Sequence, residues 1–281
     1  MTFVDQAKTL LNRRWLWPVV SPLASRLARG KGNGVQKIFC DDGIWMHQTS
    51  SGFFAYREPY VRLNLDQLDT FARSVFFWGY RPRAGDVIVD VGAGVGEEAL
   101  TFSRAVGERG RVIPIEAHPE TFRCLQKLMQ YNRLENVTAI QRAVSEPSCE
   151  LATIEDGKHY LRNRLGGRRG IPVTATTLDE LHQKLGLGRI QFLKMNIEGA
   201  ERFAIRGMRE ILRQTETLCV CCHDFLAEAG GEDSLRTKGL VVEFLRECGF
   251  RVVRRPEPNL APYVRDQVWG YNDQVMEKAA S

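Results

Sequence analysis

The stretch Gly85-Asp-Val-Ile-Val-Asp-Val-Gly-Ala-Gly-Val-Gly96 runs an apolar segment straight into three glycines spaced one residue apart. The strand predicted over 87–91 is almost continuously apolar, which suits a strand covered on both faces. Gly92, Gly94 and Gly96 then allow a sharp turn and a close approach of backbone to ligand, and a helix restarts over 97–105. Several nucleotide-binding classes share such a turn. The residue that follows it narrows the choice, because the dinucleotide fingerprint places a third glycine where this chain has Glu97. A carboxylate at a helix N-terminus, where a pyrophosphate would sit, repels phosphate.

The turn therefore favours a cofactor without phosphates. S-adenosylmethionine, with its sulfonium and amino-acid end, is such a cofactor, and Asp90-Val-Gly-Ala-Gly-Val-Gly96 resembles the first motif of a class I methyltransferase. On that resemblance Asp90, Gly92, Ala93 and Gly94 lie at the cofactor. Glu116, closing the strand predicted over 111–115, can accept both ribose hydroxyls; the simpler alternative is a solvated strand-end acid. His118-Pro119 opens a helix over 120–132, with proline at a favourable first position. A strand over 137–141 precedes Arg142 and Ala143, which the resemblance sets against the adenine, although both could simply shape a turn.

From residue 84 onward strands and helices alternate, the pattern of a mostly parallel sheet with helices on both faces. The expected fold is α/β, a class I (Rossmann-like) seven-stranded sheet with an N-terminal helical and β-hairpin extension. Residues 1–80 form the extension and cap, and residues 81–281 the catalytic domain. In the cap, strands over 35–46 and 52–56 turn at Asp41-Asp42-Gly43, and a helix runs over 65–78 until Pro82 stops it. At the other end, a helix over 234–248 and strands over 250–254 and 266–271 would finish the sheet with an antiparallel pair. Residues 151–170, polar and glycine-rich, read as a loop whose Arg162, Arg164, Arg168 and Arg169 could grip an acidic or polyhydroxyl substrate.

A second element is Thr177-Leu-Asp-Glu-Leu181, a capping box between Thr177 and Glu180, followed by Phe192-Leu-Lys-Met-Asn-Ile-Glu-Gly-Ala-Glu201. Lys194, Asn196 and Glu198 crowd the carboxyl end of a buried strand over 190–195. Together with the glycine turn, these motifs resemble the FkbM-type methyltransferase family over roughly residues 84–207. The resemblance implies S-adenosylmethionine-dependent O-methylation, typically of sugar or natural-product hydroxyls. One position departs from it: the family usually carries Asp where this chain has Asn196, so a role needing negative charge there is lost, while hydrogen bonding to donor or acceptor is kept.

Methyl transfer to a hydroxyl requires the oxygen in line with the methyl and a group to take the proton. His223, ending the strand predicted over 217–222, suits a general base by its near-neutral pKa, with Glu198 and Asp224 as rivals and Lys194 beside them. The same carboxylates and imidazole could hold a divalent metal, although their spacing specifies none. The other histidines, His47, His118, His159 and His182, read as surface or capping residues.

With 281 residues, 43% of them hydrophobic, the chain can bury one sizeable core. Its seven cysteines show no paired metal spacing, and Cys219, Cys221 and Cys222 fall in an apolar strand, which points to a reducing cytoplasm. No segment is long and apolar enough to span a membrane, and no signal peptide is evident. Residues 1–35 carry six Lys or Arg against one acid, Asp5, interleaved with Trp15, Leu16, Trp17, Leu23 and Leu27. This arm could lie peripherally on a membrane, or pack on the main domain or a second copy; Pro18 and Pro22 are expected to break a long interfacial helix. The acceptor class follows as a hydroxyl of a glycan, glycolipid or secondary metabolite. A nucleic-acid methyltransferase is the first rival, raised by the net charge of +5, but Asn196-Ile-Glu-Gly199 lacks the two prolines of the amine-methylating motif, so no nucleic acid is expected. A non-catalytic membrane-associated module keeping the fold is the second.

Overall fold

The computed structural model describes residues 14–30, 32, 34–59, 64–154, 170–257 and 259–278. A 3₁₀ turn, Arg14–Leu16, leads into α1 (Trp17–Gly30), which runs through both prolines rather than breaking at them. Pro18 occupies the first turn, where an N–H has no intrahelical partner, and the single bond forgone by Pro22 lies among exposed residues, where solvent can serve the carbonyl. Packing holds the helix instead. Ala24 and Ala28 are buried against the cap, and the Ser25 hydroxyl accepts a 2.8 Å hydrogen bond from the Ile38 N–H.

The cap is an antiparallel sheet of β1 (Val35–Asp41), β2 (Ile44–Thr49) and β3 (Gly52–Tyr56). Its first hairpin turns at Asp42 (φ 50°) and Gly43 (φ 80°), the two left-handed positions that a tight two-residue turn demands. His47 departs from its expected surface place. It is 1% exposed and edge-on to Tyr56, and burial pushes its pKa down to about 4. The cap's core continues into the catalytic domain through Val95, Leu100 and Leu128, and the Tyr56 hydroxyl donates to Glu97 at 2.7 Å.

A 3₁₀ turn, Leu65–Gln67, capped by Asn64, opens α2 (Leu68–Phe76). Then come β4 (Val87–Val91), α3 (Glu97–Val106), β5 (Arg111–Glu116), α4 (Pro119–Asn132) and β6 (Ile140–Gln141). The strand expected over 137–141 is thus shortened, Val137 making only an isolated bridge to Val112. Residues 151–154 correct the expectation of an unbroken loop: β7 (Ala143–Val144), β8 (Leu151–Ile154) and β9 (Ile171–Thr176) form a small sheet separate from the cap sheet and the main sheet. The four arginines of that segment, and His159, lie outside the described residues.

The chain continues through α5 (Leu178–Leu185), opened by the expected Thr177–Glu180 capping box, and β10 (Ile190–Met195). Short helices α6 (Glu201–Ala204) and α7 (Arg209–Leu212) precede β11 (Thr215–Cys221) and α8 (Asp224–Glu228). The end comprises α9 (Lys238–Glu247), β12 (Arg251–Val253), α10 (Pro262–Arg265), β13 (Gln267–Tyr271) and α11 (Asp273–Glu277).

The main sheet has the order β12-β13-β11-β10-β4-β5-β6, parallel from β11 to β6 and closed by the expected antiparallel pair. Alternate residues of the central strands feed two cores. Val89, Val91, Leu193 and Met195 pack with Leu181 and Phe244, whereas Ile88 and Phe192 pack with Val75, Phe76 and Phe102, so helices cover both faces. This is the class I, Rossmann-like architecture.

One charged pair crosses the centre of this sheet. Asp90 and Lys194 face each other in register on β4 and β10, their side chains 0% and 1% exposed and 2.8 Å apart. Burial works against the ammonium, but the facing carboxylate outweighs it and holds Lys194 firmly protonated. Breaking such a pair from one side strands a dry charge. Lys194→Met should therefore lose about 3–5 kcal/mol in urea denaturation, and the double variant Asp90→Asn/Lys194→Met should recover much of the loss. Equal midpoints for the wild type and Lys194→Met would sink this account.

Candidate active site

Two clefts open at the carboxyl ends of the parallel strands, where β4 neighbours β10 and the chain's crossovers part to opposite sides. Gly92, at φ 77°, makes the junction: a Cβ there would run into the Asn196 carbonyl oxygen. The turn is also pinned to β5, since the N–H groups of Gly92 and Ala93 donate to the Ile115 carbonyl at 2.8 and 3.1 Å.

The first cleft is lined by Gly92, Gly94, Glu116, Arg142, Ala143, Asn196 and Glu198, all expected at the site. Glu116 is 7% exposed, and its two oxygens accept from the Gly94 N–H at 2.9 Å and the His118 N–H at 2.8 Å. Burial pushes this carboxyl up to about 7 against the pull of those backbone donors. Each oxygen keeps a lone pair for a further donor. Ala93 is buried behind the turn, contributing backbone rather than cleft surface. Arg142 turns its guanidinium onto the Gln141 carbonyl at 2.8 Å.

The second cleft, about 690 Å³, has an apolar wall from Leu68, Phe71, Val75 and Phe76 of α2 together with Phe225 and Tyr263. Its polar end gathers Glu97, Glu98, Asn196, Glu198 and His223. Asn196 and Glu198 line both clefts and so mark where they meet. Glu198 is held at φ 49° and Gly199 at φ 93°, a left-handed turn of the kind stored at functional sites. Among the described residues the buried Asn196 Oδ1 atom has no hydrogen-bond partner, which suits it to accept from a donor group of a ligand.

His223 stands just before α8, 8% exposed, with Nδ1 3.6 Å from Oε1 of the fully buried Glu201. That separation exceeds hydrogen-bond length, so the interaction is chiefly one of charge. Burial lowers the imidazole pKa, but Glu201 and then Glu198 overcome it and raise the pKa above the usual value. Glu201 is the residue that sequence reasoning missed. Its second oxygen accepts from the Thr237 hydroxyl at 3.1 Å, and its signal was a carboxylate amid the small and apolar residues Gly199, Ala200, Phe203 and Ala204.

Besides Ala93, three expected site residues stand apart from the clefts. Lys194 and Asp90 are committed to each other within the sheet, and Lys194 also reaches the Gly92 carbonyl at 3.4 Å and lies 5.4 Å over the Phe76 ring; they support the turn from beneath. Asp224, adjacent to His223 in sequence, turns away and accepts from the N–H groups of Thr237 and Lys238, both at 3.0 Å, at the start of α9. A carboxylate at that position is worth more as a helix cap than as a base. Among the described residues no three His, Cys, Asp or Glu side chains converge to hold a metal ion. The residues present do fit S-adenosylmethionine: a backbone cradle that only glycine permits at 92, a buried acceptor at Glu116 and an unpaired Asn196 Oδ1.

The methyltransferase FkbM domain matches residues 90–252, more than half of the chain. Among curated proteins none matches its sequence. Similar solved structures include an S-adenosylmethionine-dependent methyltransferase from Aquifex aeolicus, 16% identical, covering 73% of this chain and 91% of that one, with a TM-score of 0.44. The methyltransferase FkbM from Methylobacillus flagellatus is 17% identical, with 72% of this chain and 48% of that one covered and a TM-score of 0.48. Aeropyrum pernix fibrillarin with bound S-adenosylmethionine is 16% identical over 84% and 98%, with a TM-score of 0.44. Its glycine turn and its Asn196–Glu201 element both fall within the matched residues, and the chain belongs to the FkbM methyltransferase family as an S-adenosylmethionine-dependent enzyme.

Proposed function

We propose that this protein transfers the methyl group to a hydroxyl oxygen of a glycan, glycolipid or secondary metabolite. The observation that carries the reading is the meeting of the two clefts at Asn196 and Glu198, with the His223 imidazole at the polar end of the larger one. S-adenosylmethionine, when bound, supplies an electrophilic methyl on sulfur. Gly92, Gly94 and Glu116 would hold its adenosine end, beside Arg142 and Ala143, and Asn196 would accept a hydrogen bond at the junction. The second cleft takes the acceptor. His223 Nδ1 faces Glu201, leaving Nε2 to take the hydroxyl proton as the oxygen–carbon bond forms and the methyl carbon's bond to sulfur breaks, the sulfur leaving as a neutral thioether. Glu201 then acts as a positioning residue that stabilises the imidazolium.

The cleft suits an acceptor with two ends, an apolar part against Leu68, Phe71, Val75 and Phe76 of α2 and a hydroxyl-bearing part among Glu97, Glu98, Glu198 and His223. We read residues 1–80 as the extension and cap and 81–281 as the catalytic domain. No helix among the described residues is long and apolar enough to cross a membrane, and the basic arm within residues 1–35 fits an enzyme of the cytoplasm lying peripherally on a surface.

Two measurements test the site. Calorimetry should show S-adenosylmethionine binding more tightly as pH rises through about 7, because only the ionised Glu116 can accept from both ribose hydroxyls. Glu116→Gln should bind weakly and without that pH dependence; a titration curve like that of the wild type would remove Glu116 from the cofactor site. For the base, His223→Ala should lower turnover by about 10²–10⁴-fold with cofactor binding kept. Wild-type turnover should climb with pH as His223 loses its proton. Glu201→Gln removes the charge that raises this pKa, so the climb should move to lower pH, and an unmoved profile argues for a different base.

A further inference from the structure

We propose that the outward face of α1 docks this protein onto an anionic lipid surface, which names the partner of the arm in the reading above. Trp15, Val19, Leu23 and Leu27 follow one another at intervals of four and are 65%, 64%, 57% and 54% exposed. Single exposed apolar side chains are ordinary on any protein; three in a line along α1, continued by Trp15 of the 3₁₀ turn that leads into it, are not. The opposite face cannot release them inward, because Ala24 and Ala28 are buried on the cap and Ser25 is hydrogen-bonded to Ile38. The cap thus holds the stripe outward as a rigid ridge.

Charge selects the occupant. No Asp or Glu occurs between Asp5 and Asp41; Arg26 is exposed beside the stripe, and Arg29 is exposed on the helix flank, where its guanidinium donates to the Gln36 carbonyl at 3.3 Å. A second copy packed on this face by two-fold symmetry would bring arginines against arginines with no carboxylate on either helix to offset them. A bilayer of anionic lipids accepts both parts: the stripe enters the boundary of headgroups and chains while the arginines stay at the phosphates. The helix, about 21 Å long at 1.5 Å per residue, is too short to span and suits lying in the plane.

The full chain should co-sediment with phosphatidylcholine vesicles containing phosphatidylserine and far less with phosphatidylcholine alone. Added salt should weaken binding. Leu23→Ser/Leu27→Ser should reduce it at least about tenfold, and Arg26→Glu/Arg29→Glu should abolish the preference for phosphatidylserine. S-adenosylmethionine binding, measured on the same samples, should stay unchanged; this confirms folding and keeps a failure here distinct from a failure of the methyl-transfer reading. Wild-type protein that ignores the anionic vesicles, or binds them no better than the folded leucine variant, overturns the proposal. So does a wild-type dimer that Leu23→Ser/Leu27→Ser dissociates in sedimentation velocity, which would assign the face to a second copy.

Discussion

At the centre of the molecule the ends of β4 and β10 meet through backbone alone, Gly92 against the Asn196 carbonyl, with no room for a side chain between them. Everything at the site inherits its position from that contact. It sets the glycine turn at the mouth of the first cleft and turns the chain after β10 so that Asn196 and Glu198 face both openings. Directly beneath, Asp90 and Lys194 tie the same two strands across their shared register. Burying two charges there is an expensive way to join strands, and a hydrophobic pair of similar volume would cost less. What the ion pair adds is direction, since an ammonium reaching the Gly92 carbonyl orients the turn from inside.

Much of this was legible in the sequence wherever a local rule has a single structural solution. The continuous apolar run at 87–91, the Asp42-Gly43 hairpin and the Thr177–Glu180 capping box each form as expected, because strand burial, positive φ and N-terminal N–H groups leave few alternatives. The failures have a common physical origin too. Pro18 and Pro22 lie within α1 because tertiary packing of Ala24 and Ala28 overrides a local breaker. Leu151–Ile154 becomes a strand only because Ile171–Thr176 lies beside it, a pairing invisible to any short window.

The site shows the same division. Residues whose role is fixed by a strand end, such as Glu116 and Asn196, line a cleft as expected. Asp224 does not, because adjacency along the chain says nothing about which way a side chain leaves a turn, and the N–H groups of Thr237 and Lys238 claim it. Glu201 went unread for the converse reason: its partner His223 is far away in sequence and comes near only when β10 and β11 pair. A dry carboxylate facing an imidazole is a relation between two elements and has no motif of its own.

The hydroxyl of Tyr56 holding Glu97 carries a consequence for how this enzyme divides its labour. The segment it shares with its family begins at residue 90, whereas Tyr56 and the α2 wall of Leu68, Phe71, Val75 and Phe76 all precede it. Residues that line the first cleft, from Val91 to Glu198, lie within the matched block, whereas the α2 wall of the second cleft lies before it. The Tyr56–Glu97 hydrogen bond joins the two across the start of α3, so any exchange of the cap has to rebuild that contact.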